Sequence, residues 1–175
     1  RVLASGKVYL WEAITLAFLL LGLSASLLLF LNDLAVQYAF SAVFVAASYP
    51  YFKRFFAVPQ AMLGVAFSFG IPMAFADTQG QVPMTGWILF VGNFFWTLAY
   101  DTIYAMVDRD DDLKIGIRSS AITFGRFDVL AVALSYVVFL WCMLIVGQSL
   151  SGMAGSHWAY WIGWMVTAAL CAVMV

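Results

Sequence analysis

The chain has 175 residues, of which 65% are hydrophobic, 18% aromatic and only 10% charged, with a mean hydropathy of +0.98 and a formal net charge of −1. That profile excludes an ordinary soluble domain and defines an all-α polytopic membrane protein, with membrane lipid as its surroundings. No basic stripe exists to hold a phosphodiester backbone, so nucleic acid is not an expected partner.

Six apolar segments, each long enough to span or nearly span a bilayer core, are predicted near 10–31, 34–52, 57–76, 84–107, 127–147 and 157–175. Lys7 precedes the first, with Glu12 close behind it, and Asn32-Asp33 forms a tight turn before the second. Lys53-Arg54 separates the second from the third, which begins at Pro59, where a missing N–H costs little. Pro72, with Gly70 nearby, is expected to kink that third segment. Asp77 to Pro83 reads as a turn-rich loop, and Gly147 to Gly152 as the loop before the sixth segment. The two cysteines, Cys142 and Cys171, sit inside apolar runs without disulfide or ligand spacing, and His157 lies at a segment end where it can reach the interface.

Topology follows from charge. If all six segments span, the N-terminal tail, the Lys53-Arg54 loop and the 108–126 loop share one side of the membrane. Those places hold Arg1, Lys7, Lys53, Arg54, Arg109, Lys114, Arg118 and Arg126, the chain's full complement of 8 basic residues. The positive-inside rule makes that side cytoplasmic. The chain opens at Arg1 without an initiator Met and stops at Val175 within an apolar run, so a piece of a longer membrane protein is expected.

On the same side lies the most polar stretch, from Tyr100 to Ser119. Asp101, Asp108, Asp110, Asp111 and Asp112 fall inside it, out of 9 acidic residues in all. Carboxylates crowded at the end of an apolar segment repel one another and lose hydration, so they suggest a cation. If the fourth helix continues through Asp112, then Asp101, Asp108 and Asp112 share one face within roughly 40°, with Asp111 at its edge. Asp110 points away and would pair with Lys114 at i,i+4. Such a face suits hard cations bridged to phosphate oxygens. A solvated charged loop is the plain alternative. An EF-hand-like calcium loop fails because Leu113 stands where Gly is needed and no Glu closes the loop.

Tyr49 and Lys53 are i,i+4 at the same membrane face, where Lys53 can snorkel toward an anion; Arg54 follows it. Positive-inside signalling within an aromatic belt is the competing explanation of that cluster. Inside the fourth segment, Asn93, Thr97 and Asp101 are spaced by four and carry a polar stripe into the bilayer. Asn93 serves equally well as interhelical glue. Gln60, near the start of the third segment, is expected to face the same cavity.

The run Tyr100-Asp101-Thr102-Ile103-Tyr104-Ala105-Met106-Val107-Asp108-Arg109-Asp110-Asp111-Asp112, followed by Lys114-Ile115-Gly116-Ile117-Arg118-Ser119, resembles the second aspartate-rich motif of the UbiA superfamily of intramembrane prenyltransferases. Tyr49-Pro50-Tyr51-Phe52-Lys53-Arg54, Val58 to Gly64 and Ile71 to Ala76 are similar to that family too. The resemblance implies a helical bundle with about six of nine expected transmembrane helices, forming a single transmembrane prenyltransferase domain over 1–175. The family's first aspartate-rich motif, its N-terminal helices and its C-terminal end have no counterpart here, and Val2 stands where the family usually has Pro. These 175 residues alone are therefore expected to be inactive.

The activity implied is magnesium-dependent (Mg2+) transfer of a polyprenyl group from polyprenyl diphosphate to a ring carbon of 4-hydroxybenzoate. Its setting would be ubiquinone biosynthesis at the bacterial cell inner membrane, with the site facing the cytoplasm. Carried over by motif, Asp108 and Asp112, with Asp111, would bind the metal. Asp101 would lie deeper and serve the metal or the aromatic acid, and Lys53 would contact diphosphate. The substrate contacts would be Tyr49, Lys53, Arg54, Asn93, Asp101 and Lys114; the catalytic set would be Asp101, Asp108, Asp112 and Lys53. Homogentisate, naphthoate or porphyrin acceptors stay open within the family. A cation-coupled transporter is the reading from a different class, against which the carboxylates cluster at one surface rather than at the midplane.

Overall fold

The structure is a computed structural model that describes residues 5–52, 54–149 and 157–175. Nine α-helices run in order among these residues: α1 (Leu10–Leu27), α2 (Asp33–Phe52), α3 (Pro59–Ser68), α4 (Gly70–Gln79), α5 (Met84–Val107), α6 (Arg109–Ile115), α7 (Ser120–Phe124), α8 (Asp128–Ser149) and α9 (His157–Val173). Single 3-10 turns at Leu28–Phe30 and Gly125–Phe127 lengthen α1 and lead into α8.

All six predicted segments are helical. By length and composition, Leu10–Phe30, Pro59–Gln79 and Ser120–Ser149 are apolar enough to cross a membrane, and Trp158–Val173 is a shorter apolar helix. The helices α2 and α5 are also long enough, with 20 and 24 residues, and α5 carries the polar Asn93, Thr97 and Asp101.

The third segment divides into α3 and α4 at Phe69. Pro72 has no N–H for the carbonyl of Ser68, and the ladder resumes only with Met73 N–H donating to Phe69 O. The chain leaves α4 later than predicted. Asp77, Thr78 and Gln79 are helical, and the turn starts at Gly80, whose φ of 67° is open to glycine without strain. Likewise Gly147 to Ser149 extend α8, and the remainder of that predicted loop lies outside the described residues.

At the centre lies α5. It packs along α8 on one side and along α3 and α4 on the other; α9 covers α8, and α2 covers α3 and α4. Lipid tails give no hydrophobic drive to join helices, so close approach depends on small side chains. The buried positions of α2 to α5 accordingly include Ala35, Ala39, Ala76, Ala99 and Ala105, with Gly64, Gly86 and Gly92. A Cβ on Gly64 would stand 3.1 Å from the carbonyl oxygen of Phe94, so glycine is what lets α3 lie on α5. A tighter cluster of Ala99, Val132, Tyr136 and Cys171 joins α5, α8 and α9. Large side chains such as Phe18, Phe44, Trp141 and Leu134 face outward, as a bilayer requires. No residue of α1 is buried.

Two polar clamps define the ends of the bundle. At one pole, Asn32 caps α2 by accepting from Ala35 N–H, and its Nδ2 donates to Ala76 O at 2.6 Å. Its own N–H donates to Asp77 Oδ1 at 2.9 Å, which ties the start of α2 to the end of α4. At the opposite pole, Arg118 donates to Phe55 O, Thr123 donates to Ala57 O, and Ser120 N–H donates to Gln60 Oε1. That pole gathers the end of α2, the start of α3, α6 and α7, and it is the acidic pole.

Candidate functional site

The fourth segment forms over the predicted 84–107, but the continuation through Asp112 on which the shared face depended does not. The helix α5 ends at Val107, and Asp108 takes φ −87° and ψ 2°, which breaks the helical path before α6 begins at Arg109. The carbonyl of Asp108 still accepts from Asp111 N–H at 3.1 Å and from Asp112 N–H at 2.9 Å, so Asp108 starts the new helix. Asp108 and Asp112 are thus one turn apart on α6, while Asp101 belongs to α5. The common face of three carboxylates was inferred from helix continuity, and the break at Asp108 removes that inference.

A second correction concerns Lys114. It donates to Asp111 Oδ1 at 3.0 Å, not to Asp110. Both partners are well exposed, so the pair contributes little to stability. It does leave Asp111 shared between Lys114 and any cation. Among the described residues, Asp108, Asp110 and Asp112 form no ion pair.

Helix α6 is closed by Gly116 at φ 70°, with Gly116 N–H donating to Leu113 O and Ile117 N–H donating to Asp112 O at 3.0 Å. The chain then turns to Ser119, whose Oγ accepts from Ile122 N–H and caps α7. The short α7 is sunk into the pole: Ser119, Ser120 and Ala121 are buried. Thr102 and Ser120 hydroxyls share a bond of 2.8 Å, and Thr102 also donates to Leu98 O. Gln60 was expected to face the cavity. Instead it is buried at 4% exposure, with Oε1 accepting from Ser120 N–H at 2.9 Å. The backbone of α7 supplies a donor at its first residue, and a buried amide is costly to leave unpaired.

Arg109 points away from its acidic neighbours and pairs with Asp128 at the start of α8. Asp128 is 7% exposed, and its other oxygen accepts from Val129 N–H. The acidic segment is therefore held by α8 through Arg109, by α3 through Gln60 and by α5 through Thr102. Asp128, Thr102 and Ser120 carried no signal in the sequence beyond their polarity.

Below the pole, a cavity of about 330 Å³ opens between α3 and α5. Leu63 and Phe67 line it from α3; Asn93, Trp96, Thr97, Tyr100 and Asp101 line it from α5. The spacing by four along α5 puts the polar side chains on this wall. Asn93 also donates to Ser68 Oγ at 3.1 Å, so it joins α3 to α5 while lining the cavity. Asp101 lies about 10 Å along the helix from Asp108, from seven residues at the α-helical rise. Tyr100 and Tyr104 meet edge to face with centroids 4.9 Å apart.

Of the basic cluster, Tyr49 is half-buried in the last turn of α2, and Arg54 is exposed, its N–H donating to Tyr51 O. Lys53 lies outside the described residues. Glu12 is engaged locally, accepting from Tyr9 N–H at 2.8 Å, and both cysteines are buried.

The donor set at the acidic pole is hard: carboxylate oxygens one turn apart on α6, with water access. Among the described residues, no group of three His, Cys, Asp or Glu side chains is placed to hold a metal. A pair of carboxylates nevertheless fits a small divalent ion that keeps several waters and takes further oxygens from a phosphate.

These features define a polytopic α-helical membrane protein with an acidic segment at one pole and a cavity between α3 and α5 below it. The UbiA prenyltransferase family model matches residues 1–175, and the chain belongs to that family. Members of the family generally use a divalent metal. The chain is 54% identical over 172 residues to a 4-hydroxybenzoate octaprenyltransferase of Cupriavidus pinatubonensis, covering 98% of this chain and 59% of the relative. It is 56% identical over 173 residues to the 4-hydroxybenzoate octaprenyltransferase of Burkholderia lata, covering 99% and 58%, and 55% identical to that of Burkholderia mallei. The chain thus spans less than two thirds of the length of these relatives. No solved structure matches it.

Proposed function

We propose that the chain is a single transmembrane prenyltransferase domain, and that the protein transfers a polyprenyl group from polyprenyl diphosphate to a ring carbon of 4-hydroxybenzoate. The setting is ubiquinone biosynthesis at the bacterial inner membrane, with the acidic pole toward the cytoplasm. The observation that carries this reading is one helix, α5, which lines an intramembrane cavity with Asn93, Thr97 and Asp101 and ends at the acidic segment. A long isoprenoid needs the bilayer and its diphosphate needs the surface; α5 connects the two. The relatives' names favour 4-hydroxybenzoate among aromatic acceptors.

Asp108 and Asp112 would hold Mg2+, with Asp111 shared between the metal and Lys114. Bound there, Mg2+ would neutralise the diphosphate and make it a better leaving group. Arg54 and Lys114 add positive charge at the same surface, and Lys53, with Tyr49 one turn before it, is assigned to the diphosphate by motif. The allylic C–O bond breaks, diphosphate leaves with the electron pair, and the carbocation forms where the cavity excludes water. Trp96 and Tyr100 line that cavity, where ring electrons would stabilise a cation. Asp101 accepts a hydrogen bond from the phenol, which raises the ring's electron density, and Asn93 orients the acceptor from deeper in the cavity. Ring carbon attacks the cation, and transfer of the ring proton to the released diphosphate restores aromaticity.

Membranes carrying the full-length protein, given labelled 4-hydroxybenzoate, a polyprenyl diphosphate and Mg2+, should form lipid-extractable label. Chelation should abolish it and added Mg2+ should restore it. Label that forms equally well under chelation would refute the metal assignment. No label from 4-hydroxybenzoate, with label from homogentisate or a naphthoate, would refute the acceptor.

A further inference from the structure

Arg109 is the residue next to Asp108, and an arginine there would ordinarily lie among the four carboxylates of Asp108, Asp110, Asp111 and Asp112. It does not. Its Nη2 pairs with Asp128 Oδ2 at the start of α8, a carboxylate that is 7% exposed and belongs to another helix. The arrangement is not the one that best satisfies the guanidinium, since Arg109 Nε is buried without a hydrogen-bond partner among the described residues. Exposed carboxylates one residue away could have met that donor. The buried position of Asp128 instead draws the cation out of the acidic segment.

We infer that Asp128 is a positioning residue for the metal site, its ion pair with Arg109 keeping the guanidinium from competing with a divalent cation for Asp108 and Asp112. The inference rests on the metal reading of those aspartates. A guanidinium released beside Asp108 offers a bidentate partner to the same oxygens a metal needs. Its charge also lowers the cation affinity of every carboxylate within a few ångströms. Lys114 poses a smaller threat because Asp111 already engages it.

The inference separates from a purely mechanical tie between α6 and α8. If the pair serves only as a tie, losing either end or both should do the same damage. If Asp128 acts by holding Arg109, removing Arg109 as well should repair the loss.

Purified full-length protein in lipid nanodiscs would be titrated with Mn2+, following free Mn2+ by electron paramagnetic resonance, for the wild type, Asp128→Asn, Arg109→Gln and the double variant. Asp128→Asn should weaken Mn2+ binding about tenfold, as expected for one added charge at close range. Arg109→Gln alone should not weaken it, and the double variant should bind within about twofold of wild type, as expected when both charges of a pair are removed together. Thermal unfolding of each variant checks that the protein is folded, and should Asp128→Asn not fold, Asp128→Ser, which removes the charge and keeps an acceptor for Val129 N–H, takes its place. A double variant as weak as Asp128→Asn would overturn the inference, as would unchanged binding in Asp128→Asn. A wild type that binds no Mn2+ would overturn the metal reading itself and this inference with it.

Discussion

Asp108→Asn should lower prenyl transfer by about 10²–10³-fold, the scale on which removing one preorganised electrostatic contact acts on a charge-separating step. The substitution keeps the side chain's size and one oxygen but removes the charge. The backbone bonds from Asp111 and Asp112 to the carbonyl of residue 108 do not involve the side chain, so α6 should form as before. The loss should therefore be in kcat and in the Mg2+ concentration required, with thermal stability unchanged. Initial rates across a Mg2+ titration in membranes, with a matched melting curve, measure both. Asp110→Asn, one residue away but outside the assigned metal set, should cost much less. A variant at 108 with wild-type rates would remove the central aspartate from the account.

Gln60→Met should be the most damaging change among residues that touch no substrate. Methionine has a similar length and apolar volume but cannot accept from Ser120 N–H, which is buried beside it. Leaving a buried amide unpaired costs about 1–3 kcal/mol. The cost falls on α7 and on the Thr102–Ser120 bond next to it, and so on the connection that follows the acidic segment. Hydrogen exchange over residues 116–124 should quicken, while exchange in the middle of α5 and α8 should not. Activity should fall about tenfold as the carboxylates lose their fixed position, an effect comparable to small misplacements at other catalytic centres. Unchanged exchange in that segment would mean that Gln60 is not its anchor.

The spans and the acidic segment were legible because both are written in local sequence. Runs of about 20 apolar residues and a cluster of aspartates need no knowledge of the neighbours. The interruption between α3 and α4 ahead of Pro72 was legible for the same reason, since a missing N–H acts on its own helix. What eluded the sequence lies in tertiary contact. The break at Asp108 accompanies an α6 that is drawn toward α8 by Arg109 and Asp128, nineteen residues apart. Nothing in the spacing ties those two together. Gln60 reads as a cavity residue until α7 is seen to place Ser120 N–H against it, sixty residues away. The end of α6 could have been read locally: Lys114 in the last turn, then Gly116, is a helix-stop pattern, and Ser119 before Ser120-Ala121-Ile122 is a helix-start pattern. The pairing of Lys114 with Asp111 rather than Asp110 follows once α6 begins at Arg109, because i,i+3 and i,i+4 partners compete on equal terms in so short a helix.

The central claim is that the acidic pole and the cavity between α3 and α5 form one site, with the diphosphate at the surface and the reacting groups along α5. A cryo-electron microscopy map of the full-length protein in nanodiscs, with Mg2+ and a non-reacting prenyl thiolodiphosphate, tests it most directly. The account predicts density for the diphosphate and a metal beside Asp108 and Asp112, with the first isoprene units passing Asp101, Tyr100 and Trp96. Diphosphate density elsewhere, with the α3–α5 cavity unoccupied by the analogue, would contradict it.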